Sequence, residues 1–147
     1  MRVVDANVLL YAVNESAPHH RVSCQWLDGA LGGDDNVGFS WNALLAFTGI
    51  TTNSRVFPSP LTTELAMAQI HEWLAAPSAY VLNPGERHPH ILEDMLASAE
   101  QSGNLVNDAH LAALAVEHRA SIVTFDRDFE RFGSVRAYSP DDLLRAR

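Results

Sequence analysis

Short apolar segments alternate along this chain with longer segments of helical periodicity, and this alternation limits its fold more than any other feature. The pattern predicts strands at 2–4, 37–40, 80–82, 121–125 and 135–138, with helices between them. Strands that alternate with helices form parallel sheets covered by helices on both faces. We therefore expect a three-layer α/β fold around a central, mostly parallel sheet of four or five strands.

Two of these predicted strands end on an aspartate. Asp5 follows the strand 2–4 and opens an apolar helix, and Asp126 follows the strand 121–125. Because parallel strands share one carboxyl edge, both acids should lie at that edge, where open α/β sheets bind their ligands. Asp5 could instead cap its helix, since an aspartate oxygen accepts the free N–H groups of a first turn.

A third aspartate, Asp108, lies at the start of another apolar helix. The residues three, four and seven positions later are Leu111, Ala112 and Ala115, so the carboxylate shares a helix face with side chains that should be buried. Asp108 therefore points toward a core or a cleft. It could also cap the helix, although Asn107 could provide that cap and leave Asp108 free.

Acids that converge in a fold repel one another unless a cation lies among them. Asp5, Asp108 and Asp126 therefore indicate a divalent metal site, and oxygen ligands without thiolate favour Mg²⁺ or Mn²⁺ over Zn²⁺. A site of this kind can polarise a phosphodiester and activate a water molecule. Polar residues expected to support it are Asn7, Ser40, Asn42, Thr124 and Asp128.

The composition excludes several kinds of chemistry. The chain has 147 residues, a net charge of −8, one cysteine and no lysine, so all ten of its basic residues are arginine. Without lysine it cannot form Schiff bases, bind phosphate through a P-loop or assist an aspartyl-phosphate site. One thiol excludes an internal disulfide, and no apolar run reaches the roughly 18 residues of a membrane span. We expect a single domain, residues 1–147, in a reducing cytoplasm, without an export signal or membrane contact.

Other polar and aromatic residues carry structural expectations. His88 and His90 should be surface histidines rather than a metal pair. Gly103 should close the helix around 91–99, and residues 140–147 should form a polar tail. At least two of the following aromatic side chains should belong to the core: Trp26, Trp41 and Phe47.

Three motifs follow one another along the chain. They are Asp5-Ala-Asn7 after the first strand, the stretch 104–113 that contains Asp108, and Thr124-Phe-Asp126-Arg-Asp128-Phe. In this order they resemble PIN-domain ribonucleases, and in detail the VapC-type toxins of bacterial toxin–antitoxin pairs. The resemblance implies a Mg²⁺-dependent endoribonuclease that cuts structured cellular RNA (tRNA, rRNA or mRNA). It also implies a protein that is often a homodimer and is silenced by a VapB-type antitoxin.

The resemblance also assigns roles by position. Asp5 and Asp108 match the two principal metal-binding aspartates of the family. Asp126 matches a further acid, and Asp128 a weaker neighbour of it. On this basis Asp5, Asp108 and Asp126 are the expected catalytic residues.

The helix after the second strand departs from the family pattern. Members commonly have a glutamate there, whereas residues 40–52 contain no carboxylate, and Ser40, Asn42 or a water molecule could take its place. The missing acid and the acidic net charge support a second hypothesis, a catalytically weak PIN-like module that mainly binds RNA or a protein. A phosphatase of the aspartyl-phosphate type is disfavoured, because Asn7 stands where its second acid would be and the chain has no lysine.

Overall fold

The computed structural model describes residues 1–99 and 105–147, and its strands alternate with helices as the sequence predicts. The strands form one parallel sheet in the order β3-β2-β1-β4-β5. The α/β fold and the central parallel sheet predicted from the sequence are therefore confirmed. The strands are β1 (Arg2–Val4), β2 (Val37–Ser40), β3 (Ala79–Leu82), β4 (Ser121–Val123) and β5 (Ala137–Tyr138).

Helices connect these strands and follow the predicted positions closely. None of them, in the part of the chain that the structure describes, is long and apolar enough to cross a membrane. Gly103, expected to close the fifth helix, and Asn104 of the second motif lie outside the described residues. The helices are α1 (Ala6–Val13), α2 (His20–Gly29), α3 (Trp41–Thr51), α4 (Thr63–Ala75), α5 (His88–Ser98), α6 (Val106–Glu117) and α7 (Pro140–Arg145).

The two faces of the sheet are covered by different helices. Val4 and Val123 pack in a cluster with residues of α1 to α4. Val3 and Ile122 pack in a second cluster with residues of α5 and α6. Because successive side chains of a strand point to opposite faces, two adjacent apolar residues attach one helical layer each. The result is the expected three-layer structure.

The pairing of β1 with β4 determines where the acids lie. The two strands are in register, with Val4 opposite Val123. The N–H of Asp5 then donates to the carbonyl of Val123 at 3.0 Å, which continues the ladder by one residue. Asp5 and the residues after Val123 therefore lie at the same edge of the sheet, as predicted.

The prediction of a polar tail at 140–147 is wrong, because residues Pro140–Arg145 form the helix α7. Ser139 accepts the N–H of Asp142 and donates its own N–H to that carboxylate, which satisfies two free N–H groups at the helix start. Leu143 and Leu144 pack against the core. The expectation for the three aromatic residues is confirmed: Trp26 and Phe47 are buried, whereas Trp41 is 48% exposed.

Gly38 in β2 is a position where we expect packing to limit substitution. A Cβ there would lie 2.5 Å from Cδ1 of Leu82, a side chain that is itself buried. Gly38→Ala should lower the free energy of unfolding by about 1–3 kcal/mol, measured by urea denaturation. Gly49→Ala in α3 is the control, since its Cβ meets open space and should raise helix stability by up to about 1 kcal/mol. Equal losses in both variants would contradict this assignment.

Candidate metal centre

Asp5 is held by the helix after it and by the neighbouring strand segment. Its Oδ1 accepts the N–H of Ala6 at 2.7 Å, so it is the N-cap of α1. Its Oδ2 accepts the hydroxyl of Thr124 at 2.8 Å and the amide of Asn7 at 3.2 Å. The sequence left open whether Asp5 caps the helix or faces a site. In the structure it caps the helix and also lines a cleft.

Thr124 and Asn7 tie Asp5 to the segment that carries Asp126. The buried Thr124 hydroxyl oxygen also accepts the N–H of Asp126 at 3.0 Å. Asn7 accepts the N–H of Phe125 at 3.3 Å and donates to Thr124 Oγ1 at 3.1 Å. Both residues, which the sequence marked as supporting ones, thus fix the relative positions of two acids.

Three carboxylates come together beside Asp5. One oxygen from each of Asp108, Asp126 and Asp128 lies within 4.8 Å of the other two. Asp126 caps the 3₁₀ helix Arg127–Arg131 by accepting the N–H of Asp128 at 2.8 Å, and this turn brings the two acids together. The predicted trio was Asp5, Asp108 and Asp126. The structure places Asp128 in the tightest group and leaves Asp5 next to it.

Asp108 is the third residue of α6, and its electrostatic environment is the most perturbed in the cluster. Leu105 occupies the N-cap position without a side-chain hydrogen bond, so neither Asn107 nor Asp108 caps the helix. Burial, and then the charges of Asp126, Asp5 and Asp128, raise the pKa of Asp108 to about 6.

Asp5 is also affected by its surroundings. Burial raises the pKa of Asp5, and the nearby charge of Asp126 adds to the rise. The hydrogen bonds from Thr124 and from the N–H of Ala6 act in the opposite direction, because they stabilise the ionised carboxylate. The cluster therefore holds more negative charge than its neighbours balance.

A cleft of about 280 Å³ is lined by residues of α3 and α6, and Asp5 and Asp108 lie in its wall. Ser40 is buried there and caps α3 by accepting the N–H of Ala43 at 3.1 Å. Nδ2 of Asn42 donates to Oδ1 of Asn107 at 3.4 Å, from the first turn of α3 to the first turn of α6. The α3 wall of the cleft contains no carboxylate, since it consists of the following residues: Ser40, Asn42, Ala43, Leu45 and Ala46.

The donor set fits a hard divalent cation. It consists of carboxylate oxygens, with no thiolate or imidazole in the group that the described residues form. Carboxylates are the ligands that Mg²⁺, Mn²⁺ and Ca²⁺ prefer, and a cation would relieve the repulsion that raises the pKa of Asp108. Nε of Arg131 lies 3.7 Å from Oδ1 of Asp128 on the surface. Because Asp128 is paired with this base, it is the weaker metal ligand. The acidic cluster could therefore bind a metal ion.

His88 is buried, so the expectation of a surface histidine is wrong. Its Nδ1 lies 3.0 Å from Glu117 Oε1, and its Nε2 lies 2.9 Å from Nδ1 of His110. Both partners belong to α6, which packs against α5. They lie more than 20 residues from His88 in the sequence, so no local pattern predicts that they bury it. Glu117 also accepts the N–H of Gly85 at 3.0 Å. His90, in contrast, is exposed as predicted.

The fold and the site define a three-layer α/β domain with an acid cluster at one edge of its sheet, and comparison with known families identifies the class. The PIN domain model matches residues 2–135, so this chain belongs to the PIN domain family. It is 58% identical to Ribonuclease VapC37 of Mycobacterium tuberculosis, over 98% of this chain and 100% of that protein. It is 39% identical to Ribonuclease VapC31 of the same species, over 95% of this chain and 99% of that protein.

Solved structures share the fold at low sequence identity. VapBC2 from Rickettsia felis, bound to a DNA fragment from its promoter, gives a TM-score of 0.71 at 16% identity and covers 94% of this chain and 97% of its own. FitAB bound to the IR36 DNA fragment gives a TM-score of 0.70 at 19% identity, with 95% of each chain covered. These likenesses support the fold alone.

In a chelator, the contribution of Asp108 to the free energy of unfolding should fall as the pH rises from 3.8 to about 6. The folded pKa lies above the unfolded value, so the folded state holds the proton more tightly and loses stability as the group ionises. Asp108→Asn should remove this loss and unfold at higher urea concentration above pH 6.

Asp142 is a control for the same measurement, because its pKa is shifted in the direction opposite to that of Asp108. Hydrogen bonds from Ser139 lower the pKa of Asp142, so its ionised form stabilises the fold above pH 3.8. Asp142→Asn should therefore destabilise the protein at neutral pH. Parallel stability profiles for wild type and Asp108→Asn would show that the environment assigned to Asp108 is wrong.

Proposed function

We propose that this chain is a metal-dependent endoribonuclease and the toxic component of a type II toxin–antitoxin pair. The observation that carries the proposal is the cluster of Asp108, Asp126 and Asp128 at the carboxyl edge of the sheet. The 58% identity to Ribonuclease VapC37 over nearly the whole chain supports it. We further propose that residues 1–147 act as one nuclease domain, which the family match over 2–135 supports.

Mg²⁺ is the proposed ion, and Mn²⁺ would suit the same oxygen donors. When bound, such an ion polarises the phosphodiester and makes a water molecule a better nucleophile. As the sequence predicts, Asp5, Asp108 and Asp126 would hold it, with Asp128 as an outer ligand. Thr124 and Asn7 keep Asp5 in place by the hydrogen bonds described above, so the acids meet the substrate in one fixed arrangement.

The neutral α3 wall favours one other function, a catalytically weak module that mainly binds RNA or a protein. The α3 wall lacks the glutamate that the family commonly carries there. The hydroxyl oxygen of Ser40 already accepts the N–H of Ala43 as a helix cap. The two functions differ in a simple assay. A weak module would bind RNA with Mg²⁺ present and leave it intact.

Asp108→Asn and Asp126→Asn should each lower RNA cleavage more than about 100-fold, since each removes a charge from the proposed metal site. Isothermal titration with MgCl₂ should show weaker binding in both variants. Asp28→Asn is the matched control, because Asp28 is an exposed acid on α2 that lies outside the cluster. Unchanged Mg²⁺ binding in Asp108→Asn would refute the assignment of the site.

We also propose a short antitoxin of the VapB type as the partner. A nuclease that cuts cellular RNA needs a means of control, and VapBC2 of Rickettsia felis is a related toxin–antitoxin structure. A guanidinium or ammonium group placed among Asp5, Asp108 and Asp126 would pair with the carboxylates and compete with the metal. The homodimer implied by the family resemblance and the cytoplasmic location expected from the sequence stay predictions.

Coexpression with the adjacent upstream reading frame tests this partner. We expect a stable complex that cleaves RNA poorly, and we expect excess MgCl₂ to restore part of the activity because the cation competes with the inserted base. Replacing the basic residue of the antitoxin by Ala should restore cleavage without dissolving the complex. A complex with undiminished cleavage would contradict the mechanism, and no complex at all would contradict the partner.

A further inference from the structure

Three exposed apolar side chains near the start of α3 and α6 are called here the apolar rim: Trp41, Leu45 and Val106. Leu45 lines the cleft, and Trp41 and Val106 directly precede the cleft residues Asn42 and Asn107 in the sequence. Among the described residues eight large hydrophobic side chains are exposed, and three of them form this rim, at 48%, 63% and 42% exposure. An exposed tryptophan indicates a contact surface, since its ring gains much more from packing than a small side chain does. The other two tryptophans, Trp26 and Trp73, are buried in the core.

The rim adjoins the acid cluster. Trp41 is the first residue of α3, and Leu45, one turn later on the same helix face, lines the cleft with Asp108. Asn42, the residue after Trp41, donates to Asn107, the residue before Asp108. The first turns of α3 and α6 are therefore in contact, and Val106 is the first residue of α6. Trp41 and Val106 each directly precede one of these two asparagines in the sequence.

The charge of the cleft determines which part of an RNA can use this rim. None of the described residues that line the cleft is an arginine, although Arg131 lies at the surface 3.7 Å from Asp128, and the chain has a net charge of −8. Arginine contacts to phosphates supply most non-specific affinity for nucleic acid, so this cleft lacks that source. Stacking of an unpaired base on an aromatic ring needs no charge and tolerates any sequence. The rim therefore suits the bases of RNA and not its phosphates.

We propose that Trp41 stacks on an unpaired base of the RNA substrate next to the bond that is cut, with Leu45 and Val106 as the apolar surface beside that base. The inference rests on the proposed ribonuclease function and adds a substrate-binding residue to it. Stacking on Trp41 would require an unpaired base, because the bases of a duplex are already stacked on one another. The protein should therefore bind single-stranded RNA more tightly than a duplex of the same sequence.

Steady-state cleavage of a short single-stranded RNA tests the role of Trp41. Trp41→Ala should raise KM about 5- to 150-fold with a smaller change in kcat, which corresponds to the loss of one stacked base. Trp41→Phe should recover most of the loss because it keeps an aromatic ring. Leu65→Ala is the control, since Leu65 is 58% exposed on α4, outside the cleft. An unchanged KM in Trp41→Ala would overturn the proposal.

Tryptophan fluorescence gives a second readout that needs no cleavage. In the Asp108→Asn background, addition of the single-stranded RNA with Mg²⁺ should quench the emission of Trp41. Trp26 and Trp73 are buried and should not respond to RNA, so the quenching should be absent when Trp41→Phe is added. The same sequence as a duplex should quench it much less. Equal quenching by both RNAs, or none, would overturn the proposal.

The two assays also separate this proposal from others. If wild type leaves RNA intact, the proposed function fails, whereas the fluorescence titration still decides whether Trp41 contacts RNA. If Trp41 emission instead follows protein concentration, in step with dimer formation in sedimentation, the rim is a contact between two copies of the chain and the stacking proposal is wrong.

Discussion

The parallel register of β1 and β4 is the constraint on which the acid cluster depends. It places Val4 opposite Val123, so the next residues along both strands leave the sheet side by side. The Thr124 hydroxyl then reaches the carboxylate of Asp5 and the N–H of Asp126 at the same time. A shift of the register by one residue would turn Thr124 toward the other face of the sheet and separate the two acids.

The surroundings stabilise the negative charges of Asp5 and Asp108 to different degrees. Asp5 receives donors from Thr124 and Ala6 that support its negative charge. No such donor reaches Asp108 in the described part of the chain, and burial, followed by the charges of Asp126, Asp5 and Asp128, raises the pKa of Asp108 to about 6. A cation that entered the cleft would stabilise the ionised form of this carboxylate. Cation binding at Asp108 would then also stabilise the fold.

The features that the sequence predicts are those that depend on local pattern and on the rules of parallel sheets. Strand ends at Asp5 and Asp126, and the inward face of the Asp108 helix, are of this kind. His88 was misjudged because its partners lie on α6, far along the chain. Asp128 joins the cluster only through the 3₁₀ turn after Asp126, whose geometry no periodicity shows. The helix α7 could have been predicted, since Ser139 and Asp142 have the spacing of a capping box.

The missing glutamate of α3 changes the balance of charge that a substrate meets. In its place the helix presents Asn42 and Leu45 to the cleft, so the described acids come from the strand ends, from α6 and from the 3₁₀ turn that carries Asp128. Each carboxylate left out weakens the binding of a cation, but it also reduces the repulsion that an incoming phosphate meets. None of the described residues that line the cleft is an arginine, so its α3 side offers RNA no positive charge. Contacts of RNA with the α3 side would then be uncharged, and Leu45 in the cleft, one helical turn after the exposed Trp41, offers an apolar surface there.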